Sequence, residues 1–125
     1  MQKSLKESLS SFVVDVLLLQ RTIREKSAAF QTLKQGLTNA AILSEASYLA
    51  AEASSTEAGF KEKIKVCQDE IREANYWLRI LREAGIGDLK KEELLINESL
   101  RLKERLGRLS RVARKPLLQT NNVAA

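Results

Sequence analysis

Seven residues of one segment, Phe60, Ile64, Cys67, Ile71, Ala74, Leu78 and Leu81, follow one another at spacings of four and three. An α-helix turns once every 3.6 residues, so this spacing sets all seven on one stripe of a long helix. Such a stripe is a seam for packing against other helices. Trp77, the only tryptophan, stands one position off it, on its shoulder. A single proline and five glycines among 125 residues leave the other long stretches free to be helical too. With aromatics at 5%, the core must be built mostly of Leu, Ile, Val and Ala. The chain is long enough for one domain and too short for two.

Four helices are expected. Helix 1, about 4 to 26, opens on Ser4 and Glu7, the pattern of a capping box. Leu5, Leu9, Phe12, Val16, Leu19 and Ile23 form its seam, but Val13, Val14, Leu17 and Leu18 are apolar as well. A helix in a lone four-helix bundle needs one apolar stripe. The second set is either an unusually deep core contact or, the reading preferred here, a surface for a neighbouring subunit. Helix 2, about 28 to 53, continues through Phe30, Leu33, Leu37, Ala40, Ser44, Ser47 and Ala51. Its alanines permit close approach of another helix, and Gly36 marks a bend or a close contact. Ser54 with Glu57 repeats the capping-box pattern ahead of helix 3, about 56 to 84.

Gly85-Ile86-Gly87-Asp88 is the clearest loop: Gly85 suits a left-handed helix end, and Asp88 suits the N-cap of the next helix. Helix 4, about 89 to 114, carries Leu95, Leu102, Leu106, Leu109 and Ala113 on its seam and is stopped by Pro116. The fold class is all-α, an antiparallel up-down-up-down four-helix bundle. Residues 1–116 form the single domain, with a C-terminal tail over 117–125.

The inventory excludes several functions. With no histidine and one cysteine, neither an ordinary zinc site nor an internal disulfide can be assembled. Cys67 lies on the seam and reads as a small buried hydrophobe. No Glu-x-x-His pair, phosphate-cradling glycine loop or nucleophile motif is present, so neither enzyme activity nor a metal or other cofactor is expected. The apolar run from Phe12 to Leu19 is broken by Asp15 and falls far short of the roughly 20 residues that span a membrane. It also lacks a cleavage site, so no leader is expected. A cytoplasmic location fits the cysteine usage.

Residues 73 to 86, EANYWLRILREAGI, carry a resemblance. Glu73, Tyr76, Trp77, Leu78, Leu81 and Gly85 match the signature of the bacterial four helix bundle protein family, also called the 23S ribosomal RNA intervening-sequence protein family. Glu52 and Ala53 resemble its Glu-Ala or Glu-Gly pair, and Phe60 the phenylalanine opening its third helix. The chain departs from the pattern where Glu45 to Ala50 replace a glycine- and asparagine-containing run. Asn75 stands where a second glutamate is common, and the turn before Phe60 is about two residues shorter. The resemblance implies a homopentamer. It also implies kinship with the accessory subunit of diversity-generating retroelements, which binds nucleic acid and a reverse transcriptase. On this reading Trp77 is a packing residue at a bundle or subunit contact and joins Val13, Val14, Leu17 and Leu18 as a candidate oligomer-interface residue.

Charge is unevenly spread. Between Arg101 and Lys115 seven basic residues face one acid, Glu104, so this segment holds +6 of a chain whose formal net charge is +5. Arg101, Arg105, Arg108 and Arg111, three or four apart, share one helix face, with Arg114 and Lys115 just beyond. Such a stripe can track phosphates, giving salt-sensitive and sequence-indifferent binding to RNA or DNA. The alternative is that the cations serve the helix dipole and solubility, in a protein-interaction module or scaffold without a nucleic-acid role. No aromatic residue interleaves with these arginines, so base stacking there is not expected. The expectation is a non-enzymatic homo-oligomeric scaffold that binds nucleic acid, with a protein partner as the other open possibility.

Overall fold

A computed structural model describes residues 3–112. It contains α1 (Leu5–Arg21), α2 (Ala28–Glu52), α3 (Glu57–Ala84) and α4 (Leu89–Arg111). Each helix packs against its sequence neighbours and α1 closes on α4, which makes the ring of an up-down-up-down bundle. The expected tail, Pro116, Ala113, Arg114 and Lys115 lie outside the described residues.

The core is the sum of the four seams. Leu9, Phe12, Val16, Leu37, Ile64, Ile71, Leu78, Leu81, Leu102 and Leu106 are fully buried, as is Cys67. Burial pushes the Cys67 thiol up to about 12, with the charge of Glu70 adding to the effect, so the thiolate that reacts is absent near neutrality. No helix of the described residues is long and apolar enough to cross a membrane.

The helix ends are set by local chemistry. Ser4 and Glu7 form the expected capping box: Ser4 Oγ accepts from Glu7 N at 3.1 Å, and Glu7 Oε1 accepts from Ser4 N at 3.0 Å. Those bonds hold the Glu7 carboxyl below its ordinary range. Helix 1 ends five residues earlier than expected. Thr22 N and Thr22 Oγ1 both donate to the Leu19 carbonyl, at 3.1 and 2.7 Å, which closes the last turn. Ile23 lies beyond the helix end but still packs against the core, close to Gly87 at the foot of the bundle. The cap of α3 also differs: Thr56, not Ser54, is the N-cap, accepting from Gly59 N at 2.9 Å. Ser54 Oγ donates to the Thr56 carbonyl instead, so the Ser54–Glu57 box does not form. At the other end of α3, Gly85 adopts φ 69°, and Ile86 N reaches the Leu81 carbonyl at 3.0 Å, the left-handed termination its sequence predicts.

Polar side chains tie the helices in pairs. Gln20 of α1 donates to the Lys34 carbonyl (3.2 Å) and accepts from Thr38 (2.8 Å) on α2. Between α3 and α4, Asn75 donates to Ser99 Oγ at 2.8 Å and Gln68 to the Lys103 carbonyl at 3.1 Å. Asn75, where the family pattern favours glutamate, is thus a neutral interhelical donor.

Gly36 is a close contact rather than a bend. A Cβ built there would lie 2.6–2.8 Å from the Trp77 ring, so the indole fills the notch that the glycine leaves in α2. Trp77 is half-buried in this contact within one chain, its Nε1 donating to Glu73 Oε2 at 3.4 Å.

Candidate functional site

The basic face of α4 divides into two parts. Arg101 and Arg105 line a groove of about 410 Å³ between α1 and α4, while Arg108 and Arg111 lie nearer the end of the helix and are exposed. Arg105 is half-buried and committed to the fold: its guanidinium donates to Ser8 Oγ and to the Lys3 carbonyl, each at 3.0 Å. It fastens the start of α1 to α4. Arg105→Ala is therefore expected to cost about 1.5–3 kcal/mol in denaturant unfolding, the range for a hydrogen bond to a charged group. An unchanged midpoint would show that these contacts carry no stability.

Arg101 pairs with Glu98 and Arg108 with Glu104, each at 2.7 Å, and both pairs are largely open to solvent. Exposed pairs of this kind are worth about 0–1 kcal/mol, so a phosphate can displace either carboxylate. Arg111 is exposed at the end of the helix. Of the six residues expected to bind nucleic acid, Arg101, Arg108 and Arg111 thus present cations to solvent, and Arg105 is structural. Arg114 and Lys115 lie outside the described residues.

The expected oligomer surface on α1 also divides. Val13 is 9% exposed and belongs to the core, which corrects its assignment to the interface. It lies one turn from Leu9 and Val16 and so shares their face. Val14, Leu17 and Leu18 remain uncovered, Val14 at 50% and Leu18 at 48%. Leu18 and Leu94 border a continuation of the α1–α4 groove, about 230 Å³ in volume, that shares Asp15, Leu94 and Leu95 with the first part.

A second apolar face shows in the sequence only through its alanines, Ala46, Ala50 and Ala53, and not through Ile42, Leu43 and Leu49. Ile42, Leu43, Ala46, Leu49, Ala50 and Ala53 are all exposed on the outer side of α2. The signal was available: these positions recur at helical spacing, and none is charged. They were hidden because the same helix carries a complete inner seam.

Tyr48 and Glu92 are perturbed as well. Burial, followed by the charge of Glu52, raises Tyr48 above its ordinary range, and Arg105 opposes the shift. Glu92, in the first turn of α4, is 1% exposed, and its Oε2 has no hydrogen-bond partner. Burial and the neighbouring Asp88 push it up to about 7, against the opposing charge of Arg82.

No protein-family model matches the chain, and no curated protein does. Among solved structures, the chain is similar to a protein of unknown function from the S23 ribosomal protein family of Bacteroides thetaiotaomicron. The TM-score is 0.79 at 18% sequence identity, over 87% of this chain and 100% of that one. The likeness shows a shared four-helix fold, and the neighbour's family is the one that Glu73 to Gly85 resemble.

Proposed function

We propose that the chain is a divergent member of the S23, or 23S rRNA intervening-sequence, family and acts as a non-enzymatic, self-assembling scaffold that binds RNA or DNA through the end of α4. The shared fold and the Glu73–Gly85 signature support the family, and with it a homopentamer. The observation carrying nucleic-acid binding is the pair Arg108 and Arg111. Both are exposed, and Arg108 is held only by a solvent-open ion pair. Arg114 and Lys115 follow in the sequence. Repeated by symmetry, these cations offer a phosphate-binding array without base readout.

The test is nucleic-acid binding by the purified assembly across a salt series. Arg108→Glu with Arg111→Glu is expected to abolish retention at low salt, or to lower the salt dependence by about one phosphate per arginine removed. The oligomer should be unchanged by light scattering. Arg105 is left intact because its loss would loosen α1. Equal binding by wild type and the double variant would overturn this assignment. The second reading, a protein-interaction module, is favoured by the uncovered apolar faces of α1 and α2. It stands if no nucleic acid is bound at any salt concentration while the assembly persists.

A further inference from the structure

Two uncovered apolar surfaces lie on different sides of this bundle and differ in shape. One is a ridge: the outer face of α2 from Ile42 to Ala53, where alanines alternate with Ile42, Leu43 and Leu49. The other is a groove: the cleft between α1 and α4, floored by Phe12 and Leu95 and edged by Leu94, which is 63% exposed. With alanine at three of its six crest positions, such a helix can approach a cleft while Ile42, Leu43 and Leu49 project into it.

We infer that the α2 ridge of one copy of this chain seats in the α1–α4 groove of the next. The inference rests on the self-assembly proposed above and assigns the two surfaces that would produce it. Three observations select a second copy as the occupant.

The first is height. The α1–α2 hairpin is pinned where Gln20 meets Lys34 and Thr38. Running antiparallel from there, α2 residues 42–53 lie beside the N-terminal half of α1. The groove occupies that same level, from Lys3, just ahead of α1, to Asp15 on α1 and from Leu94 to Arg105 on α4. Ridge and groove are thus matched along the bundle axis within a single chain.

The second is charge. The ridge is uncharged, and Glu45 and Glu52 flank it on its own helix. The corresponding end of the groove is basic, with Lys3, Arg101 and Arg105. Only Arg101 of these three is ion-paired, with Glu98. Among the described residues Lys3 and Arg105 form no ion pair, although Lys3 Nζ donates to Ser11 Oγ at 2.9 Å and Arg105 keeps its bonds to Ser8 and the Lys3 carbonyl. Asp15 lies farther along the groove, beyond the level of the two glutamates.

The third is closure. Because ridge and groove are unlike surfaces, their contact is head-to-tail and leaves each copy with one of each still open. Matched heights mean that successive copies advance little along the axis. The contacts then close into a ring instead of growing as a fibre.

The experiment uses two introduced thiols, because buried Cys67 stays unreactive in the folded chain. Ala46→Cys marks the ridge and Ser11→Cys the groove. Treated with a short bismaleimide, the chain carrying both is expected to give a ladder of covalent oligomers up to the full assembly. Each single variant should remain monomeric on a denaturing gel. As a second measurement, Glu45→Arg or Arg101→Glu alone should lower the assembled fraction several-fold, and the two together should restore it. Dimers from a single-thiol variant would overturn the inference, because they require like surfaces to meet. An intact assembly in which the double-thiol chain gives no ladder would also overturn it while leaving self-assembly standing. A monomer by light scattering would remove both.

Discussion

Glu92→Gln is expected to stabilise the protein at pH 8 by up to about 3 kcal/mol and to change little near pH 5. Glu92 is buried, with one carboxylate oxygen lacking any partner, and its folded-state value stands near 7 against an ordinary 4.5. The sign follows from proton binding. Below about pH 4.5 both folded and unfolded chains carry the proton, and no penalty arises. Between about 4.5 and 7 the unfolded chain has released it and the folded chain has not, so stability falls as pH rises. Above about 7 the folded chain must hold a desolvated charge, and the loss has saturated. Glutamine keeps the shape without the charge. Urea unfolding at pH 5, 6, 7 and 8 checks this: wild type should lose stability over that range, and the variant should show a flatter profile. Parallel profiles would mean that the carboxylate reaches solvent when ionised. The helix dipole favours a negative charge at this position, but it is worth roughly 0.3–1 kcal/mol and does not offset burial.

Gly36→Leu should destabilise by about 3 kcal/mol or more, and Trp77→Ala should recover part of that loss. In an open helix, replacing glycine would help, because glycine costs about 1 kcal/mol relative to alanine. Here the new side chain begins inside the space held by the indole, with Cβ 2.6–2.8 Å from three of its ring atoms. The ring belongs to a rigid side chain between two long helices, so relief requires α2 and α3 to part. A double-mutant cycle measures the coupling directly. We expect an interaction energy of about 1–3 kcal/mol, within the range for residues in contact. Strictly additive effects would show that Trp77 swings aside at no cost.

Most of the fold was legible in the sequence because its determinants are local. The stripe from Phe60 to Leu81, the Ser4–Glu7 cap and the Gly85 termination each act within a few residues, and all form as their spacing predicts. The errors arise where two local solutions compete. Ser54 and Thr56 are both acceptable caps, and only the path of the turn selects Thr56. Ile23 continues the α1 period, yet a hydroxyl at Thr22 closes the helix before it. The surfaces were harder to read because they depend on contacts between distant parts of the chain. Val13 and Val14 look alike in sequence, and only the placement of α2 and α4 buries one and exposes the other. Arg105 lies in the same basic stripe as Arg108, but its partners are 97 and 102 residues away. No spacing rule reaches that far.

The interhelical hydrogen bonds of Gln20, Gln68 and Asn75 also limit how the helices can slide. Seams of leucine, isoleucine and alanine repeat every turn or so, and one helix displaced by a turn against another would find nearly equivalent apolar contacts. Such a slip would strand the Asn75 and Gln68 amides away from the Ser99 hydroxyl and the Lys103 carbonyl, and that penalty removes the degeneracy. An all-aliphatic version of this interior could therefore be as resistant to heat while populating several packing isomers. What these amides contribute is uniqueness more than strength.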